Sequence, residues 1–202
     1  PIKDAEVNLF METATLSPQE WTTEKQHLAE TLQIVVNERK KLENDLGIVD
    51  GNDRLIQVLD DGSTDESLSL CRAAAERDAR FRVIHQQNAG VSAARNAGLA
   101  AATGQYLQFV DGDDRLLSNA TEVLVHAALS TGTDLVIARF YRVSGQRQAL
   151  QGHIRGRRVL TRTEFAEEMV KAPANFYYGV LWNKLYRRST VEANRLRCDR
   201  RM

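Results

Sequence analysis

The chain has 202 residues, a length that fits one domain or one domain with an appendage. Its two cysteines lack metal-ligand spacing and no apolar run reaches membrane-spanning length, which argues against a disulfide scaffold and an integral membrane protein. The 27 basic and 27 acidic residues balance overall, but 15 basic against 5 acidic residues follow residue 138.

This basic C-terminal part has two open interpretations. It could face an anionic acceptor or contact a membrane surface peripherally, or it could be an ordinary solvated face. We expect a cytoplasmic protein, either free or at the inner face of the membrane, and no nucleic-acid partner.

The first regular pattern begins at Ser17, since residues 1–16 show no usable periodicity. Ser17 and Glu20 form a helix-start signal, and from Trp21 onward apolar residues recur every seven positions until Gly47. The pattern predicts a long helix. We expect residues 1–54 to be a helical extension that packs on the domain or joins copies of the chain into a homo-oligomer.

From residue 55 onward, strand-like and helix-like segments alternate. The predicted strands are Leu55–Leu59, Phe81–His85, Tyr106–Val110 and Asp134–Val143, and the predicted helices are 66–78, 91–104 and 119–129. This order is typical of parallel βαβ units and predicts an α/β fold, a mostly parallel sheet with flanking helices. Thr161 and Glu164 form a capping box for a further helix over 165–171.

Three carboxylates follow the strand at residues 106–110. Asp111, Asp113 and Asp114 are separated only by Gly112. Crowded acids repel one another, and ligands of open α/β sheets bind at the carboxyl ends of strands, so the cluster indicates a cation site. The alternative is a polar turn that closes the strand.

A second acidic turn follows the strand at residues 55–59. Asp60 and Asp61 precede a predicted helix, whose capping requires only one acid. A carboxylate here could accept a hydrogen bond from a base N–H or a ribose hydroxyl. Arg95, near the start of the next helix, could bind a phosphate or form a structural ion pair.

Three segments together resemble family 2 glycosyltransferases of the GT-A fold. They are VLDDGSTDES, NAGVSAARNAGLAAATGQYLQFVDGDD and WNKLYRRS, in this order along the chain. The resemblance runs from Leu55 to about Asp199, which makes residues 55–202 the GT-A domain. It implies inverting transfer of a sugar from a nucleotide-diphosphate sugar, here a UDP-sugar, to a saccharide or lipid-linked acceptor.

The resemblance also implies a role for individual residues. Asp60 and Asp61 would hold the nucleoside and Arg95 would lie near the nucleotide. Asp111 and Asp113 would bind Mg²⁺ or Mn²⁺ bridging the diphosphate, as hard carboxylate oxygens do.

Three further residues match the segment beside the family's acceptor site, namely Trp182, Asn183 and Lys184. Trp182 could stack on a sugar, although a buried core tryptophan fits the sequence equally well.

Two family features are not found in the sequence. The usual first strand with its Pro-Val-Tyr-Asn type motif has one candidate, Ile34–Glu38, which lies in the predicted helix, so we expect this central strand to be missing. The acidic segment with the general base would lie beyond Met202, which leaves the catalytic residue unknown and suggests a truncated domain. Asp199 matches the position ahead of that segment.

Two other functions remain open. One is a catalytically idle module that binds nucleotide-sugars or mediates assembly. The other is a nucleotidyltransferase of similar fold, which is disfavoured because the chain has no early Gly-rich triphosphate loop.

Overall fold

The architecture is taken from a computed structural model. It describes residues 7–13, 54–117, 119–144, 147–151, 158–171 and 179–199. The predicted N-terminal helix, including residues 34–38, and the linker before residue 54 lie outside these ranges.

Within these ranges, strands and helices alternate through most of the chain. The strands are β1 (Val7–Thr13), β2 (Arg54–Asp60), β3 (Phe81–His85), β4 (Tyr106–Asp111), β5 (Leu135–Ile137), β6 (Phe140–Ser144), β7 (Arg147–Gln151) and β8 (Lys184–Arg187). The helices are α1 (Ser67–Arg77), α2 (Val91–Ala101), α3 (Ala120–Thr131), α4 (Arg162–Lys171) and α5 (Arg188–Ala193).

The described strands form a six-stranded sheet and a separate two-stranded hairpin. The order in the sheet is β3-β2-β1-β4-β8-β5, and β6 pairs with β7 in the hairpin. Strands β3, β2, β1 and β4 are mutually parallel, whereas β8 is antiparallel to both β4 and β5. The predicted mostly parallel α/β sheet is confirmed.

The first strand corrects the sequence analysis. Val7–Thr13 lies between β2 and β4, parallel to both, so the expectation of a missing central strand is wrong. These residues belong to the sheet, and residues 1–54 are therefore not a purely helical extension. The segment VNLFMET mixes four apolar with three polar residues, which is why it did not stand out as a buried strand.

Helices cover both faces of the sheet, which explains why its strands are nearly continuous apolar runs. On one face Ile56 and Val58 pack against Cys71 of α1. On the other face Leu59 and Phe109 belong to the cluster that includes Ala94 of α2. Successive residues of a strand point to opposite faces, so β2 and β4 each contribute to both clusters.

The segment from Asp134 to Val143 is also corrected, because it forms two strands instead of one. The N–H of Ala138 donates to the Asn183 carbonyl at 2.9 Å, and the Asn183 side-chain amide donates to the Ala138 carbonyl at 3.0 Å. Asn183 thus satisfies both backbone groups of Ala138 at the end of β5. The chain then leaves the sheet, and Phe140 packs against Trp182 with ring centroids 4.4 Å apart.

The predicted capping box is confirmed at the start of α4. The Glu164 carboxylate accepts from the Thr161 N–H at 2.7 Å, and the Thr161 hydroxyl accepts from the Glu164 N–H at 3.3 Å. These reciprocal bonds satisfy donors that the first turn of a helix leaves open. In the part of the chain described here, no helix is both long and apolar enough to cross a membrane.

Candidate functional site

Polar residues meet at the carboxyl edge of the parallel strands. Asp60 ends β2 and Asp111 ends β4, with β1 between them. Thr13 pairs with Asp60, and Glu12 pairs with Asp111, so the two acidic ends differ by one residue in register. The sheet therefore brings both predicted acidic turns to one edge.

Asp60 is fully buried, with 0% of its side chain exposed. Its Oδ2 lies 2.6 Å from Nδ1 of His85, and its carbonyl accepts from the Gln86 N–H at 3.0 Å. These bonds join the ends of β2 and β3. With no exposed surface in this arrangement, the Asp60 carboxylate is held by the protein itself.

Asp61 differs from its neighbour because its side chain is partly exposed. Its Oδ1 accepts from the Gln86 side-chain amide at 2.7 Å and from the Ala89 N–H at 3.0 Å. The loop after β3 thus fixes this carboxylate at the edge of the sheet. Of the two adjacent acids, Asp61 is the one with surface available to a ligand.

Gly62 allows the loops after β2 and β3 to approach closely. Its backbone φ of +77° is rarely adopted by residues that carry a side chain. A Cβ at this position would lie 2.7 Å from the Asn88 backbone nitrogen. Gly62, His85 and Gln86 were not predicted as site residues. Their positions were the available signal, since His85 ends β3, Gln86 follows it, and Gly62 lies two residues beyond the end of β2.

Arg95 connects α2 to the end of β4. Its Nη2 donates to Oδ1 of Asp111 at 3.1 Å, with 19% of the arginine and 31% of the aspartate side chain exposed. Both of the alternatives for Arg95 remain compatible with this contact, because a partly exposed guanidinium can pair with an acid and still face a ligand.

The turn after β4 concentrates negative charge. Its closing hydrogen bond runs from the Asp114 N–H to the Asp111 carbonyl at 3.0 Å, which leaves Asp113 exposed. Burial, together with the neighbouring Asp113 and Asp111 carboxylates, raises the pKa of Asp114 from 3.8 to about 6. The negative electrostatic potential of these three carboxylates therefore favours binding of a cation.

The residues of this turn fit a divalent cation whose remaining ligands come from a substrate and from water. Among the described residues no three His, Cys, Asp or Glu side chains form a group that could hold a metal by themselves. Mg²⁺ at phosphate sites commonly takes one or two carboxylates, with phosphate oxygens and water as the other ligands. Asp111 and Asp113 provide two such carboxylates.

The three residues predicted on the acceptor side have different environments. Trp182 is partly buried, whereas Asn183 and Lys184 are only 7% and 3% exposed. The Lys184 ammonium donates to Oδ1 of Asn183 at 2.8 Å and to the Val180 carbonyl, and burial lowers its pKa to about 8. Asn183 and Lys184 bind the protein itself, and Trp182 is the one with surface to offer.

Solved structures of similar fold include nucleotide-binding glycosyltransferases. S. aureus TarS 1–349 in complex with UDP aligns with a TM-score of 0.69 at 16% identity, over 97% of this chain and 51% of that chain. The mannosyltransferase PcManGT from Pyrobaculum calidifontis, in complex with GDP-Man and Mn²⁺, aligns with a TM-score of 0.60 at 15% identity. That alignment covers 96% of this chain and 47% of that chain. At such identities the likeness establishes the GT-A fold alone.

Sequence relatives are closer. The uncharacterised glycosyltransferase EpsJ of Bacillus subtilis is 39% identical over 145 residues, which are 71% of this chain and 42% of EpsJ. The cholesterol galactosyltransferase of Borreliella burgdorferi is 32% identical over 153 residues, which are 72% of this chain and 43% of that protein. The chain thus spans less than half the length of these relatives. The sequence profile described as glycosyl transferase family 2 matches residues 23–194, and the chain belongs to this family.

Proposed function

We propose that this chain binds a nucleotide-diphosphate sugar through a divalent cation and forms the donor-binding part of an inverting glycosyltransferase. The observation that carries the proposal is the meeting of Asp61, Asp111, Asp113 and Arg95 at one edge of the sheet. Three exposed or partly exposed carboxylates lie at this edge, at the ends of β2 and β4 or in the turns after them, and the guanidinium reaches it from α2. This is the set of groups that a diphosphate and its cation require.

The nucleoside lies, in this proposal, beside Asp61. Its carboxylate is held by the Gln86 amide and the Ala89 N–H, so little reorganisation accompanies binding. Asp60 contributes indirectly, because its bond to His85 fixes the two loops against each other. The burial of Asp60 and the partial exposure of Asp61 support different roles for the two acids.

The diphosphate lies beside Asp111 and Asp113, which would hold Mg²⁺ or Mn²⁺. When bound, such a cation neutralises the charge that develops on the leaving diphosphate. Asp111 is fixed by its position at the end of β4 and by its contact with Arg95. Asp113 is exposed at the tip of the turn and can orient toward the cation.

The acceptor binds, in this proposal, around Trp182. It is a saccharide or a lipid-linked compound with a free hydroxyl group. Asn183 and Lys184 support this part by fixing the loop that carries Trp182, as their bonds to Ala138 and Val180 indicate. Trp182 itself packs edge-on against Phe140. An aromatic ring held at a fixed angle is suited to stack on a sugar.

The donor is a UDP-sugar in this proposal, with a GDP-sugar as the second choice. Support comes from TarS, solved with UDP and with UDP-GlcNAc, and from PcManGT, solved with GDP-Man and Mn²⁺. Because the same fold occurs with both uridine and guanosine nucleotides, the identity of the nucleotide is tested directly.

Transfer from radiolabelled UDP- and GDP-sugars to a panel of saccharide and lipid-linked acceptors tests the proposal. In a form that includes the segment carrying the family's general base, we expect Mn²⁺- or Mg²⁺-dependent transfer, reduced by about 10²-fold or more in Asp113→Asn because the cation loses a ligand. Asp134→Asn, a surface acid at the opposite edge of the sheet, is the control and should retain full transfer. Metal-dependent nucleotide binding without transfer would identify an idle donor-binding module, and transfer unaffected by EDTA would refute the cation's role.

A further inference from the structure

Arg95 contacts the carboxylate of Asp111 at the edge of the sheet. Its Nη2 donates to Oδ1 of Asp111 at 3.1 Å. Both side chains retain exposed surface. The guanidinium is therefore placed where it can exchange one anionic partner for another.

A cation on Asp111 would be close to this guanidinium, whichever carboxylate oxygen it occupied. Two positive charges beside one carboxylate repel each other, and each reduces the stabilisation that the other gains. In the absence of nucleotide, Arg95 should thus oppose binding of a divalent cation.

A diphosphate changes the sign of this effect. It brings further negative charge, and its oxygens match the fork of donors on a guanidinium. With both cation and diphosphate present, Arg95 gains a phosphate partner and the two positive charges share a larger negative one. The same residue then favours the fully loaded state.

We propose that Arg95 couples cation binding to diphosphate binding at this site. It holds Asp111 in the ligand-free protein, weakens binding of the cation alone, and contacts the diphosphate once both are bound. Because such coupling is reciprocal, Arg95 also makes the nucleotide depend on the cation. The inference rests on the proposed function, since it assumes a cation at Asp111 and Asp113.

The test measures three affinities. Electron paramagnetic resonance gives the affinity for Mn²⁺ without nucleotide, and calorimetric titration gives the affinity for UDP in EDTA and in saturating Mn²⁺. In Arg95→Met we expect Mn²⁺ alone to bind about two- to fivefold tighter, the range that a partly exposed ion pair supports. In saturating Mn²⁺, UDP should bind about tenfold more weakly than to wild type. The coupling factor, which is the ratio of the UDP affinity in Mn²⁺ to that in EDTA, therefore falls. Arg95→Lys keeps the charge and should lie between wild type and Arg95→Met.

Arg187→Met is the matched control. Arg187 is similarly buried, with 23% exposed, and its Nε lies 2.8 Å from Asp134, at the edge of the sheet opposite Asp111. This variant should leave all three affinities unchanged. Arg95→Gln, which keeps a donor for Asp111, replaces Arg95→Met if circular dichroism shows that the latter does not fold.

Two results would overturn the inference while the cation site stands. They are weaker binding of Mn²⁺ alone in the Arg95 variants, which would make Arg95 a structural holder of Asp111, or an unchanged coupling factor. If wild type binds no Mn²⁺ with or without UDP, the proposed function itself fails, and the inference fails with it.

Discussion

Asn96 binds both backbone groups of Cys198 through its side-chain amide. The Nδ2 donates to the Cys198 carbonyl and the Cys198 N–H donates to Oδ1, each at 2.9 Å. The residues are 102 positions apart, so this pair fixes the segment after α5 against α2. Asn96 adjoins Arg95, and the segment is therefore anchored next to the proposed diphosphate position.

Loss of this pair should release the segment and expose the Cys198 thiol. In Asn96→Ala we expect Cys198 to react at least about fivefold faster with a thiol reagent, and unfolding to cost about 1–3 kcal/mol less. Cys71 will not interfere, because it is fully buried and burial, with Asp60 and Asp65, raises its pKa to about 12. Asn194→Ala removes a bond within one helix end and should leave the rate unchanged.

Gly62 should tolerate no side chain, whereas Gly132 should tolerate one at moderate cost. Both have positive φ, but a Cβ at Gly62 meets the Asn88 nitrogen at 2.7 Å, and one at Gly132 meets nothing within 4 Å. We expect Gly132→Ala to lower the free energy of unfolding by about 1–2 kcal/mol and Gly62→Ala by at least about 3 kcal/mol. Chemical denaturation measures both, and equal losses would contradict the close approach of the two loops.

Asp114 should destabilise the metal-free fold at neutral pH. Because its folded-state pKa is raised from 3.8 to about 6, the folded protein retains a proton that the unfolded chain has released between these values. Its contribution is thus fully present below pH 3.8 and is lost as the pH rises through about 6. In EDTA, Asp114→Asn should melt at a higher temperature than wild type at pH 7.5, with the difference shrinking toward pH 4. A constant difference across this range would show that the charge is not responsible.

Asn183 should matter for stability and not for nucleotide binding. Its side-chain amide donates to the Ala138 carbonyl, and its backbone carbonyl accepts from the Ala138 N–H. Its Oδ1 accepts from the Lys184 ammonium. Asn183→Ala leaves buried polar partners unsatisfied, so we expect a loss of about 1–3 kcal/mol in the free energy of unfolding. The affinity for UDP with Mn²⁺ should remain that of wild type. A variant of unchanged stability but lower affinity would place Asn183 at the ligand instead.

The sequence predicted most of the strands that position the site. Phe81–His85 was predicted with both boundaries, and the apolar runs at Leu55 and Tyr106 were found because buried parallel strands are nearly continuously apolar. Val7–Thr13 was missed because polar residues interrupt it and because a parallel partner 40 to 100 residues away leaves no local signal. The break near Ala138 depends on Asn183, which is equally remote in sequence.

Which of the two adjacent acids after β2 is buried could not be predicted from residue type alone. Asp60 and Asp61 are adjacent and chemically identical, and only the positions of His85 and Gln86 decide which of them is buried. The pairing of Arg95 with Asp111 likewise follows from the packing of α2 on the sheet, which the sequence does not state. Alternation along β2 could have indicated opposite directions for Asp60 and Asp61 once the strand end was known.

We infer that this chain binds a nucleotide diphosphate through a cation held by Asp111 and Asp113. Isothermal titration of UDP into the wild-type protein, in Mn²⁺ and then in EDTA, measures how far nucleotide binding depends on the cation. We predict that affinity falls at least about tenfold in EDTA and similarly for Asp113→Asn in Mn²⁺, because the acids then repel the diphosphate. Asp134→Asn should bind as wild type does. Equal UDP affinity with and without the cation would show that the nucleotide does not bind through a metal at Asp111 and Asp113.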